Sequence, residues 1–175
     1  MKRLLAVAVL LLALAGAAYY FLIRDRTVVA HVYSPRPAAT IGSGSHAVVV
    51  SAEGEVVPWL PVPEEPPLPQ LPLTEAPKSG RLKGTALQQA RVLGAVPAAL
   101  APYVERSYYG KSGVDVILTT GIELRFGEAS QARRKWEAAA AVLADPAVTT
   151  LDYVDLHAPG RPAPGGSGHE LPPLE

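Results

Sequence analysis

Alternating apolar and polar residues predict a β-hairpin in the second half of the chain. The segment GVDVILTTGIELRFG, residues 113–127, alternates on both sides of Thr120-Gly121. A period of two places every second side chain on one face of a strand. We therefore expect two antiparallel strands here, with one apolar face directed at a core and charged residues on the other.

A helical period appears twice. Residues 129–144 carry an apolar stripe of Ala132, Trp136, Ala139, Ala140 and Leu143. The shorter run ALQQARVLGAV follows Thr85 and Gln88, whose three-residue spacing is that of a capping box. Pro97 and Pro146 end the two predicted helices, since proline cannot continue a helix interior.

The remaining strands are predicted from β-branched, alternating runs at residues 27–33, 46–60 (a hairpin), 104–109 and 148–156. PVPEEPPLPQLPLTEAP, residues 61–77, is too rich in proline for either regular element, and a surface connector is favoured over a ligand for a partner domain. Residues 158–175, APGRPAPGGSGHELPPLE, have too little apolar content to fold and are predicted to be disordered. The fold class is α+β, with helices on a mainly antiparallel sheet.

Twenty uncharged, mostly apolar residues, 4–23, lie between Lys2-Arg3 and Arg24. As a helix they extend about 30 Å, enough to cross the hydrocarbon core of a bilayer. Ala13-Leu14-Ala15 and Ala15-Gly16-Ala17 also have the small-x-small form of a signal-peptide cleavage site. The length of the run favours a retained transmembrane anchor, with cleavage as the alternative. Two basic residues on each side leave the orientation undecided.

Composition excludes several kinds of chemistry. Sixteen basic and sixteen acidic residues give no net charge, which argues against a nucleic-acid partner. No cysteine is present, and no two of the four histidines have the spacing of a metal pair. We therefore predict no enzyme activity, catalytic residue, cofactor, metal or small-molecule substrate. The run Arg133-Arg134-Lys135 is predicted to be the solvated face of its helix.

One long stretch resembles a known family. GIELRFGEASQARRKWEAAAAVLADPAVTTLDYVDLHAPGRPA is similar to the C-terminal half of the FtsQ/DivIB cell-division proteins, and HVYSPRPAATIGSGSHAVVVSAEGEVV resembles their passage from the POTRA domain into the β domain. The resemblance implies four regions: residues 1–26, a short cytoplasmic tail and anchor; 27–45, a membrane-proximal strand and linker; 46–157, the β domain; and 158–175, the tail. The POTRA domain is expected to be missing or reduced to its final strand.

The resemblance also implies a role and a site. It implies a non-enzymatic scaffold in the inner membrane at the division septum, with its N-terminus cytoplasmic and its β domain outside. The implied partners are membrane-anchored coiled-coil proteins of the FtsB/DivIC and FtsL type.

These partners would add a strand to the free edge of the last strand of the family's β domain. Here that strand is matched by Thr150, Leu151, Asp152, Tyr153, Val154, Asp155, Leu156 and His157, with Tyr153 and Leu156 as side-chain anchors. His157 stands where the family often has Arg, and Ala158 where it often has an aromatic residue. The alternative is a secreted or anchored binding domain of unrelated role.

Overall fold

A computed structural model describes residues 35–173. The predicted anchor at 4–23 and the predicted strand at 27–33 lie outside the described residues. Within residues 35–173, no helix has the length and the apolar composition needed to cross a membrane.

The first sheet has three antiparallel strands. They are β1 (Pro37–Ile41), β2 (Val48–Ser51) and β3 (Val56–Val57), in that spatial order. The predicted hairpin of β2 and β3 is confirmed. β1 lies where a linker was expected. Four of its five residues are buried, and it pairs with β2 through backbone atoms, which the proline-flanked sequence gives no sign of.

The proline-rich segment forms no helix and contributes one isolated bridge, as expected of a connector. It runs beside β1, where the Thr40 amide donates to the Pro69 carbonyl at 3.0 Å and the Leu71 amide donates to the Thr40 carbonyl at 2.8 Å. These hydrogen bonds cover the outer edge of β1, and the fully buried Leu71 fixes the segment to the core.

The second sheet contains five strands in chain order: β4 (Val104–Gly110), β5 (Gly113–Leu118), β6 (Glu123–Gly127), β7 (Thr150–Asp155) and β8 (Ala163–Glu170). The hairpin predicted from alternation is β5 and β6. All neighbours are antiparallel except β6 and β7, which are parallel because a helix joins them. The α+β class is confirmed.

Two helices cover one face of the sheets. They are α1 (Gly84–Leu93) and α2 (Ala132–Leu143). Trp136 joins them, since its indole nitrogen donates to the Val92 carbonyl at 2.8 Å while its ring lies 4.8 Å from the ring of Phe126 on β6. The predicted capping box is wrong: α1 is capped by Lys83 with no side-chain hydrogen bond, and Thr85 lies inside the first turn.

The predicted solvated run on α2 is wrong at one of its three residues. Arg133 and Arg134 are exposed, but Lys135 is only 3% exposed. Its Nζ donates to the carbonyls of Phe126 and Glu128 at 2.7 and 2.9 Å. These carbonyls lie where β6 ends, and the ammonium group supplies donors that the sheet no longer provides. Burial lowers the pKa of Lys135 below its ordinary value.

Candidate partner-binding site

The strand predicted to bind a partner is β7, and the structure places it inside the sheet. β6 pairs with it on one side and β8 on the other. The second pairing was not expected, because β8 belongs to the tail that was predicted to be disordered. The open edge of the sheet is therefore β8 (Ala163–Glu170) and not, as predicted, the strand Thr150–Asp155. Whether a partner contacts the residues of Thr150–His157 stays a prediction.

β8 folds as a strand although its sequence, APGGSGHE, has almost no side chains to bury. Nearly all of it is exposed, so its order comes from backbone pairing with β7 and from the chain that follows. There, Pro172 is buried, and the Tyr103 hydroxyl donates to the Pro173 carbonyl at 2.5 Å. The tail is thus held by its pairing with β7 and, after the strand, by Pro172 and Pro173.

Asp152 attaches the middle of β8. The register between β7 and β8 shifts next to it, and its Oδ1 accepts a hydrogen bond from the Gly168 amide at 2.8 Å. A Cβ on Gly166 would lie 2.0 Å from Asp152 Oδ2, and Gly166 has a φ of +78°. Glycine is required at that position, because any side chain would collide with the carboxylate and strain the backbone.

Tyr153 connects β6 to β8 across the face turned away from the helices. The Arg125 guanidinium lies 3.9 Å from the centre of its ring. A Cβ on Gly165 of β8 would lie 2.6 Å from the Tyr153 hydroxyl oxygen, so the ring extends over that glycine. Adjacent strands in a sheet are about 4.8 Å apart. The Tyr153 hydroxyl lies over β8, so it is close to the position that a strand added next to β8 would occupy.

Leu156, the second predicted anchor, is fully buried. It belongs to the hydrophobic core together with Val154 and Phe126, and its amide donates to the Arg125 carbonyl at 2.9 Å. The prediction that its side chain faces a partner is wrong. Positions 154 and 156 share the face that is directed at the helices, while 153 and 155 share the other.

Charged groups on the outer face form one network. Glu123 accepts hydrogen bonds from the Tyr108 hydroxyl and, at 2.7 and 2.8 Å, from the Arg125 guanidinium. Burial raises the pKa of Glu123, but these hydrogen bonds outweigh burial and lower it overall. The hydrogen bond to Glu123, with burial, raises the pKa of Tyr108 to about 12. Arg125 is therefore held firmly under Tyr153.

Asp115 and His157 lie on the same face. Asp115 is directly opposite both Tyr108 and Arg125, and burial raises its pKa. His157 is exposed, and its ring nitrogen lies 2.7 Å from Asp155 Oδ1. Burial acts to raise the pKa of Asp155, but the hydrogen bonds from His157 outweigh it and lower that pKa. Within residues 35–173, no three His, Asp or Glu side chains are grouped as metal ligands.

A comparison with known protein families identifies a match. The model described as "Cell division protein FtsQ/DivIB, C-terminal" matches residues 39–157, which is more than half of the chain. The chain belongs to the FtsQ/DivIB family. The matched span begins within β1 and ends directly after β7, so β8 lies beyond it. A search of curated proteins found no match. Family membership assigns the chain a role in cell division.

Proposed function

We propose that this FtsQ/DivIB protein is a non-enzymatic scaffold of the division complex that binds its partners by strand addition at β8. The observation that carries the proposal is the position of β8: it ends the five-stranded sheet, and within residues 35–173 only β7 pairs with it. An unpaired row of amides and carbonyls can accept another chain's strand.

β8 is the more exposed of the two edge strands of this sheet. At the opposite edge, residues 105–108 of β4 line a groove together with residues 70–76 of the protein's own chain. β8 instead contains Pro164 and a bulge at the register shift. Such features are typical of edge strands that must avoid indiscriminate pairing. They favour a partner matched to this edge over nonspecific association.

The proposed partners are single-pass coiled-coil proteins of the FtsB/DivIC and FtsL type. To an added strand, β8 presents its main-chain groups and, at residues 163–168, only small side chains. Selectivity would therefore come from Tyr153, which extends over Gly165 toward the edge. In this proposal the protein is held in the inner membrane by residues 4–23, with its N-terminus cytoplasmic and its β domain outside, at the septum.

Removing residues 163–175 tests which strand receives the partner. If the partner adds to β8, this deletion abolishes binding of the partner's extracytoplasmic segment, as measured by calorimetry. If the partner instead replaces β8 on β7, binding persists or strengthens. Melting temperatures must accompany the experiment, because Pro172 is buried.

Cysteine crosslinking tests strand addition directly in the full-length protein. Ser167→Cys in β8 should crosslink to every second position of a cysteine series along the partner segment, since strand side chains alternate. Arg134→Cys, exposed on α2, is the matched control and should give no crosslink. Equal crosslinking at all partner positions would contradict strand addition.

The membrane anchor has its own test. Mass spectrometry of the mature protein should find residues 1–15 retained. A start at residue 16 or 18 would favour the cleaved, secreted form.

A further inference from the structure

The turn that follows β3 presents a tryptophan to solvent. Val57, Pro58, Trp59 and Leu60 form this turn, which is closed by the Leu60 amide donating to the Val57 carbonyl at 3.1 Å. Trp59 is 74% exposed, whereas Trp136, the other tryptophan, is fully buried. Among residues 35–173, Trp59 is the most exposed of the large hydrophobic side chains. Such a side chain is energetically unfavourable in water and is a common anchor of protein interfaces.

Prolines restrict the backbone on both sides of this tryptophan. Proline precedes Trp59, and Pro61 and Pro63 flank Val62, which is 40% exposed. Each proline fixes its own φ near −65° and restricts the residue before it. We call residues 57–63 the Trp59 turn. Because it is already ordered, it loses little conformational entropy on binding, and this favours affinity.

The chain segment that contains and follows the Trp59 turn is acidic in sequence. Residues 58–77 contain Glu64, Glu65 and Glu75 and no lysine, arginine or histidine. Three carboxylates without a basic residue are repelled by an anionic lipid surface and attracted by a basic protein surface. The charge pattern therefore distinguishes between the two environments in which exposed tryptophans usually insert, the bilayer interface and a protein pocket.

We propose that the Trp59 turn is a second interaction surface, at which Trp59 inserts into an apolar pocket rimmed by lysine or arginine on another protein. The pocket would accept the indole and Val62, while the basic rim would face Glu64 and Glu65. This surface belongs to the three-stranded sheet and not to the β8 edge. The two proposals can therefore fail independently.

Photo-crosslinking in cells provides the first test. Benzophenone-phenylalanine replaces Trp59 in the full-length protein. In a matched control it replaces Tyr109, which is on β4 and 41% exposed. We expect a protein adduct from position 59 that is absent from position 109. Absence of any adduct at 59, or adducts to phospholipid alone, would overturn the proposal.

An adduct by itself does not establish the pocket, so affinities are measured next. The purified extracytoplasmic domain of the crosslinked protein is titrated with full-length wild-type protein and with Trp59→Ala. Loss of a tryptophan anchor should weaken binding about 30-fold. The double variant Glu64→Lys/Glu65→Lys should also bind more weakly and with less dependence on salt, because the attraction to the basic rim is lost. Tyr109→Ala should bind as the wild type does. Equal affinities of Trp59→Ala and wild type would refute the proposal.

Three controls separate this outcome from others. Trp59→Ala should melt within about 2 °C of wild type, because an exposed side chain contributes little to stability. It should also bind the β8 partner normally, which separates this surface from the strand-addition site. Finally, vesicles of phosphatidylcholine, with and without phosphatidylglycerol, should not shift the Trp59 fluorescence, taken as the difference between wild type and Trp59→Ala. A blue shift would favour bilayer insertion and contradict the proposal.

Discussion

Replacing Leu156 with alanine separates a core residue from a partner anchor. The family resemblance implies that Leu156 is a side-chain anchor for a partner, whereas in the structure it is fully buried in the hydrophobic core. The two placements predict opposite results. A core residue supports stability and affects binding only through the fold, while an anchor supports binding and contributes little to stability.

The expected loss follows from burial. Leu→Ala replacements at buried sites cost about 2 to 5 kcal/mol, because transfer free energy is lost and a cavity remains. Leu156 has no solvent exposure, so a value of about 3 kcal/mol is reasonable. For a domain of about 140 residues, each kcal/mol lowers the melting temperature by roughly 3 to 4 °C. We therefore expect Leu156→Ala to melt about 10 °C below wild type.

The assay is thermal unfolding followed by circular dichroism, with partner binding measured on the same samples at 20 °C below the lower midpoint. Val62→Ala is the matched control, because it truncates an apolar side chain that is 40% exposed, and it should change stability by less than about 0.5 kcal/mol. Unchanged melting of Leu156→Ala together with lost partner binding would refute the core placement of this residue.

Three further replacements test other parts of the structure. Gly166→Ala places a Cβ against Asp152 at a positive φ; it should cost about 1 to 2 kcal/mol and selectively increase hydrogen exchange of the β8 amides. Lys135→Met leaves two carbonyls without their donor, so calorimetry should show a loss of about 1 to 3 kcal/mol. Burial raises the pKa of Asp115, so the folded state holds that proton more tightly and wild-type stability falls as pH rises through the raised value. The stability of Asp115→Asn relative to wild type, from urea unfolding, should therefore increase between pH 3 and pH 7; a constant difference would contradict a raised pKa.

The residues of the candidate site were only partly predictable. The sequence indicated Asp152 and Tyr153 through its resemblance to the family, which matches them to the last strand of the β domain. It missed Arg125 as the support beneath Tyr153, since that contact joins strands that are distant in sequence. It also missed the glycines at 165, 166 and 168. In a sequence they resemble a linker, whereas in the structure they leave space for the side chains of β7.

Lys135 shows that sequence-based prediction is limited in the same way for a charged residue. Its two arginine neighbours are exposed, and a helical period alone indicates only which residues share a face. The boundary of the buried face depends on what lies against the helix, and here it is the end of β6 with two carbonyls that need donors. A lysine can satisfy them because its long side chain brings three donors to one point.

The sequence by itself determined the order and type of most elements and the α+β class, because side-chain periodicity records which face of each element is buried. It also indicated the family, through its resemblance to the FtsQ/DivIB proteins. Only the tertiary structure decided which strand ends the sheet. A sheet edge is defined by backbone pairing, and every residue except proline carries the same amide and carbonyl, so side-chain pattern does not reveal whether a partner strand is present. For this reason β8, with few side chains to bury, could be recognised only beside β7.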